Sequence, residues 1–126
     1  MEERARKPVV WVGSSLLDLA AFPRLVRRSM GYALHIAQLG GKHPDAKPLK
    51  GFGGAGVLEV VEDYDRATFR VVYTLRLRDR IYVLHAFQKK SKRGAATPKK
   101  EMDVIRTRLR DAYALHEAWV RSKEGE

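Results

Sequence analysis

Between positions 89 and 100 the sequence carries Lys89, Lys90, Lys92, Arg93, Lys99 and Lys100, with no acid among them. Six cations in twelve residues, with Phe87 just ahead of them, form a pattern suited to phosphate contact and base stacking. The plainer alternative is a solvated loop that keeps the protein in solution. Arg70 and His85 lie in the segments leading to this run. A fixed guanidinium stabilises negative charge developing on a phosphoryl group. An imidazole, with an unperturbed pKa of about 6.5, moves a proton near neutral pH. Each also has a structural role open to it: Arg70 as an ion pair with Glu59 or Glu62, His85 as a hydrogen-bonded core residue, and Phe87 as core packing.

Other chemistries are poorly supplied. His35, His43, His85 and His116 lack metal-ligand spacing, and the acids are not paired on a strand, so a metal nuclease is discounted and no metal or cofactor is expected. Cysteine is absent, which excludes a disulfide framework, a thiolate zinc site and a cysteine nucleophile. Gly-x-Ser-x-Gly is absent too. The stretch Gly51-Phe-Gly-Gly-Ala-Gly56 precedes a strand pattern, and no Gly-Lys-Ser/Thr follows it, so it is not a nucleotide-binding loop. Nucleic-acid cleavage by this chain would rest on cations, a proton carrier and the substrate's own hydroxyl. That points to RNA, whose 2′-OH is an internal nucleophile.

The whole chain sets the frame for these residues. It has 126 residues, with 25 Lys plus Arg against 15 Asp plus Glu, a formal net charge of +10. Such a charge attracts phosphate polyanions, acidic proteins and acidic membranes alike. A hydrophobic fraction of 44% supports a real core. One domain over 1–126 is expected, with its core at about 7–121. No apolar run approaches the roughly 18 residues of a membrane span, and Met1-Glu-Glu-Arg4 has no signal-peptide core, so a cytoplasmic protein with no membrane partner is expected.

The elements that must position the site read as α+β. Val9–Val12 is a short strand closed by Gly13. Ser15 with Asp18 resembles a capping box for a short helix through Ala20. Pro23 opens a second helix whose Val26, Met30, Ala33 and Ala37 share a face, ended by Gly40-Gly41. Together the two helices suggest a helical hairpin. Residues 42–56 read as a loop. Three strands follow at 57–61, 68–77 and 80–88, joined as antiparallel hairpins. Strict alternation groups His85 and Phe87 with Ile81 and Val83. Antiparallel pairing sets Arg70 beside the Phe87–Lys90 end. Thr97-Pro98 supplies the N-cap and first turn of a last helix, with a stripe of Met102, Ile105, Leu109, Ala112, His116 and Trp119.

Four segments in order, Lys7-Pro-Val-Val-Trp-Val-Gly13, Phe69-Arg-Val-Val-Tyr73, Val83-Leu-His-Ala-Phe-Gln-Lys-Lys90 and Thr97-Pro-Lys99, resemble the phage-derived, HigB-like branch of the RelE/ParE toxin superfamily. The resemblance implies a RelE-like twisted antiparallel sheet with an N-terminal helical hairpin and a C-terminal helix. It also implies the toxin of a type II toxin–antitoxin pair, one that cuts mRNA on the ribosome without a metal. A cognate antitoxin, often with a helix-turn-helix domain, would neutralise it. Arg70, His85, Lys89 and Lys90 then become the catalytic candidates, and Lys47, Lys50, Phe87, Lys92, Arg93 and Lys99 the RNA-binding ones. Members often carry a basic residue soon after the acid of the Val57–Val61 strand. Here that stretch is Leu58-Glu-Val-Val-Glu62, and Lys47 or Lys50 would replace the missing cation. ParE-type members share the fold and poison DNA gyrase, so a non-catalytic gyrase inhibitor is the alternative, as is a degenerate toxin that only binds RNA or antitoxin.

Overall fold

The computed structural model describes residues 6–53, 56–89 and 96–125. Alternating apolar residues between 57 and 89 form two successive hairpins from β3 (Val57–Tyr64), β4 (Ala67–Thr74) and β5 (Ile81–Lys89). The β3–β4 turn is only Asp65-Arg66, with φ of 48° and 65°. Two consecutive left-handed residues fit a type I′ turn, whose twist matches that of the flanking strands. Pairing therefore continues from Val57 opposite Thr74 to Tyr64 opposite Ala67, further into the 62–66 connector than alternation suggested.

Two three-residue strands complete the sheet in the order β1-β5-β4-β3-β2. The sheet is antiparallel from β2 to β5, as the resemblance implied, and β1 (Val9–Trp11) joins β5 in parallel, which makes it mixed as a whole. β2 (Ala46–Pro48) pairs antiparallel with β3, placing a strand where a loop was expected. Its proline and flanking loop residues masked the signal; Pro48 is tolerated because β2 is an edge. Both edges are short, which limits the open backbone available to other strands.

Both faces of the sheet are covered, which explains why every residue of β4 is buried. On one face lie α1 (Ser15–Ala20) and α2 (Arg24–Gln38), with Leu19, Val26, Met30 and Ala33 packed among Phe69, Val71, Tyr73 and Val83. The two helices follow each other directly, α1 resting on β5 and α2 on β3. On the other face α3 (Lys99–Glu124) sets Ile105, Leu109 and Ala112 against Val57, Val72, Tyr82 and Leu84. Burying a side chain such as Ile105 fully contributes about 1.5–3 kcal/mol. The expected stripe is buried from Ile105 through Ala112, while Met102, His116 and Trp119 are half-buried. No described helix is long and apolar enough to cross a membrane.

The caps differ from the sequence expectation. Ser14 and not Ser15 precedes α1, and its hydroxyl donates to Asp18 Oδ2 at 2.7 Å. Ser15 is buried, its hydroxyl donating to Val83 O at 3.1 Å. Pro23 and Pro98 occupy the capping positions of α2 and α3, one residue earlier than expected. Thr97 is thereby left for other work.

One irregularity decides the orientation of the candidate residues. Between Val72 and Tyr73 the β4–β5 register shifts: Tyr73 faces Val83 while Val72 faces His85, so Leu84 is an extra residue. Such a bulge breaks the two-residue alternation. Val83 packs with the α2 layer and Leu84 with the α3 layer, but beyond the bulge it is Phe87 that joins the α3 layer and Ala86 the α2 layer. His85 and Phe87 are therefore turned to the face opposite Ile81 and Val83, contrary to strict alternation.

Candidate active site

Directly opposed residues in neighbouring strands point to the same side of a sheet. Lys47, Glu59, Val72 and His85 make one such row across β2, β3, β4 and β5. Val61, Arg70 and Phe87 make the next. Both rows face α3, and they build two different polar clusters.

The first cluster is open. A cleft of about 590 Å³ is lined by Lys47, Lys50, Glu59, Arg70, Thr97 and Asp45, with Leu49, Val61 and Met102 among its apolar walls. At its base Arg70 Nη1 donates to Glu59 Oε2 at 3.1 Å, to Oε1 at 3.3 Å and to Thr97 Oγ1 at 3.3 Å. The Thr97 hydroxyl in turn donates to Glu59 Oε2 at 3.1 Å. This triangle ties β3, β4 and the approach to α3 together. Both side chains are largely buried, 4% exposed for Arg70 and 13% for Glu59. The ion pair with Glu59 foreseen as Arg70's structural role is thus formed, but inward, at the floor of a cleft. Three lining cations against two carboxylates leave the described lining at a formal +1.

The second cluster is closed. Arg108, on α3, donates from Nη1 to Leu84 O at 3.1 Å and contacts His85 Nδ1 at 3.2 Å, while its Nη2 donates to Ser14 Oγ at 2.9 Å. An arginine always donates, so His85 Nδ1 is the acceptor and its proton sits on Nε2, 3.4 Å from Glu101 Oε2. The His85 ring stacks on Phe87 with centroids 4.8 Å apart. His85 is 7% exposed, and its burial lowers its pKa; Glu101 pulls the other way, and Arg108 reinforces the lowering. Gly13 makes room for the guanidinium, since a Cβ there would lie 2.6 Å from Arg108 Nε, and its φ of +58° suits glycine.

The expected site residues therefore separate. Arg70, Lys47 and Lys50 come together around the cleft. His85 and Phe87 are packed beneath α3, with both His85 ring nitrogens facing protein groups. Lys89 continues β5 and its Nζ donates to Ala96 O. Lys99 is exposed and pairs with Asp103 at 3.5 Å, outside the cleft lining. Lys90, Lys92 and Arg93 lie outside the described residues. Sequence reasoning offered Glu59 or Glu62 as the partner of Arg70 but missed Thr97 as its third member, and Arg108 as the donor that closes over His85. A capping signal at Thr97 concealed the first. Nothing in a single helical arginine announces the second.

The family model described as Phage derived protein Gp49-like (DUF891) matches residues 17–110, from within α1 to the middle of α3. No curated protein matches. Among solved structures, the chain is similar to the toxin–antitoxin complex RelBE2 from Mycobacterium tuberculosis, at 16% identity and a TM-score of 0.45, over 72% of this chain and all of that one. The matched span holds every described residue lining the cleft, Arg70 and Glu59 included. This chain belongs to the phage-derived Gp49-like family, a family of RelE/HigB-like toxins.

Proposed function

We propose that the protein is the toxin of a type II toxin–antitoxin pair and a ribosome-dependent mRNA endoribonuclease, with its active site in the Arg70 cleft. The observation that carries this reading is the fixed guanidinium at the floor of an open cleft, held by Glu59 and Thr97 and flanked by Lys47 and Lys50. A pre-positioned cation stabilises a phosphorane-like transition state because no reorganisation is needed as charge develops. The cationic run that follows β5 in the sequence extends the phosphate-binding character beyond the cleft.

The reaction is transesterification within the RNA. The 2′-OH gives its proton to a base, O2′ attacks the adjacent phosphorus in line, and the P–O5′ bond breaks. O5′ takes a proton, leaving a 2′,3′-cyclic phosphate and a 5′-OH. Glu59 is the base in this reading, since it is the carboxylate at the cleft floor beside Arg70, whereas His85 is enclosed by Arg108 and Glu101. Lys47, opposite Glu59 in the sheet, or Lys50 supplies the proton to the leaving oxygen. Lys89 and Lys99 belong to the approach path of the strand, while Lys90 as a catalytic candidate and Lys92 and Arg93 as RNA-binding ones rest on the sequence alone. Phe87, directly opposite Arg70 in the sheet, and His85, stacked on it, flank the site under α3.

The test is cleavage of a defined mRNA by purified protein with and without ribosomes, with the ends mapped by primer extension. Ribosome-dependent cuts carrying 2′,3′-cyclic phosphates, lost in Arg70→Ala and in Glu59→Gln, are expected. Intact mRNA from folded protein would overturn the nuclease reading and turn attention to a protein target such as gyrase.

A further inference from the structure

At the far end of α3 the molecule holds a second cleft, of about 640 Å³, that the chemistry above does not use. Arg6 and Lys7 line it from the segment before β1, Asp79 from the β4–β5 turn, and Trp119, Lys123 and Glu124 from the last turns of α3. Trp119 lies twenty residues after Lys99, about 30 Å along the helix from the end that borders the Arg70 cleft. The volume suits one small ligand.

Its walls are pinned by hydrogen bonds. Lys7 N donates to Gln38 O and Gln38 Nε2 to Lys7 O, both at 2.9 Å, and Ile81 N donates to Pro8 O at 2.9 Å. Arg80 Nη1 donates to the hydroxyl of fully buried Tyr82 at 3.3 Å, and His116 Nδ1 lies 2.9 Å from the same hydroxyl. The anchored guanidinium sits 5.5 Å from the Tyr82 ring centroid and 4.8 Å from that of Trp119. The His116 ring packs 5.4 Å from half-buried Trp119, so indole and guanidinium form one fixed platform. Lys123 Nζ, 5.0 Å from the indole, ends an exposed side chain in the last turn that can swing aside.

Charge and shape point to one kind of ligand. Arg6, Lys7, Arg80 and Lys123 come from three segments of the chain. Among the described residues none of them forms an ion pair, although Asp79 adjoins Arg80 and Glu124 adjoins Lys123. Four cations against these two acids leave a formal +2, which favours an anion. The indole and guanidinium planes favour a flat ring, since nucleobases stack on both. A bare phosphate would leave the indole without a role, and an uncharged ring would leave the cations without one.

We propose that this cleft binds a nucleoside phosphate, with its base stacked against Trp119 and Arg80 and its phosphate held by Lys7 and Lys123. The ligand is a free nucleotide or one unit of an RNA strand, which present the same chemistry to the site. The cleft shares no residue with the Arg70 cleft, so this inference and the nuclease reading stand or fall separately.

The test is an NMR titration of the full-length, ¹⁵N-labelled protein, whose two tryptophans give two indole signals. Trp119 is the reporter, and Trp11, packed against the core on the α2 side, is the control. AMP, adenosine, ribose 5-phosphate, inorganic phosphate and hexaadenylate are added in separate series. AMP should move the Trp119 signal and the amides of Lys7, Asp79 and Val120 and leave Trp11 in place. It should bind about tenfold more tightly than adenosine or ribose 5-phosphate, because each of these keeps only half of the contact. Equal affinity for AMP and hexaadenylate assigns the site to a free nucleotide, and a tenfold preference for the oligomer assigns it to RNA; both uphold the site. Trp119→Leu should weaken AMP about tenfold, the scale of one lost stacking contact, and Trp119→Phe should recover part of the loss. The Lys7→Gln/Lys123→Gln double variant keeps the indole, should melt like the wild type, and should bind more weakly with a shallower salt dependence. The Trp119 response should persist in Arg70→Ala. The proposal is overturned if nucleotides leave the Trp119 signal in place at millimolar concentration, or if inorganic phosphate moves it as far as AMP does. It is also overturned if the lysine double variant binds AMP unchanged, or if phosphatidylglycerol vesicles engage Trp119 while nucleotides do not.

Discussion

Two polar clusters lie side by side under α3, built from adjacent rows of the same strands, and they differ in almost every respect that matters for chemistry. Around Arg70, Glu59 and Thr97 the side chains form the floor of an open cleft, with Lys47 and Lys50 in its lining. Around His85 the guanidinium of Arg108, the carboxylate of Glu101 and the ring of Phe87 close every approach, and the free carbonyl at the Leu84 bulge is taken up as well. Histidine is the residue type most readily associated with proton transfer, yet here its two ring nitrogens face Arg108 and Glu101 of α3. The arginine, more easily dismissed as an ion pair, is the one at the floor of an open cleft. Access and the geometry of partners separate the two, and residue type does not.

The largest effect expected from breaking this contrast is on the open side. Arg70→Ala should lower the cleavage rate by about 10²–10³-fold, the usual loss for a donor aimed at developing charge, measured as kcat on mRNA with ribosomes. His85→Gln, which keeps a polar side chain under α3, should leave kcat within a few-fold. A comparable loss in both variants would erase the distinction between the clusters. On the closed side, Arg108→Ala strips donors from Leu84 O, His85 and Ser14 at once. It should cost about 3 kcal/mol in urea unfolding, since hydrogen bonds from charged groups contribute roughly 1.5–3 kcal/mol each and water will replace some of them.

Acidity gives a third handle. Burial lowers the His85 pKa below its ordinary value, so the unfolded chain binds the proton more readily than the folded one. The stability that neutral His85 contributes is present above the unfolded pKa of about 6.5 and is lost as the pH falls toward the folded value. Thermal melts should show that decline on mild acidification, and His85→Gln should flatten it. The smallest effect lies on the opposite face of the sheet. Tyr73 is fully buried in the α2 layer, its hydroxyl has no hydrogen-bond partner among the described residues, and burial raises its pKa to about 12. Tyr73→Phe should be neutral or stabilising by up to about 1 kcal/mol, because an unsatisfied buried hydroxyl is removed with little change of shape.

The difference between the clusters was only partly legible in the sequence. Alternation in 68–77 set Phe69, Val71 and Tyr73 on one face and Arg70 and Val72 on the other, as the structure has them. The helical stripes from Val26 to Ala37 and from Met102 to Ala112 were equally plain, because a 3.6-residue period survives any local detail. The bulge at Leu84 was not plain. It inserts one residue without changing composition, and it alone turns His85 and Phe87 toward α3. β2 was hidden by Pro48, and Thr97 by a motif it shares with ordinary helix caps. Glu59 stood in the sequence as the foreseen partner of Arg70; what no spacing rule could supply was that the pair faces inward, with Thr97 as its third member.

The parallel join of β1 to β5 bears on the order in which the molecule assembles. Val9 pairs with Ile81, and Ser15 reaches Val83, across most of the central sequence. The β3–β4 and β4–β5 hairpins close short loops and can form as soon as their own residues exist. The first strand has nothing to pair with until the last one is in place, and long loop closures of this kind are slow. A nascent chain therefore carries its opening segment unplaced while the hairpins gather, and β5 waits with one side of its backbone open. During that interval the newborn protein is at its most vulnerable to another strand adding there, and β1 is what ends it.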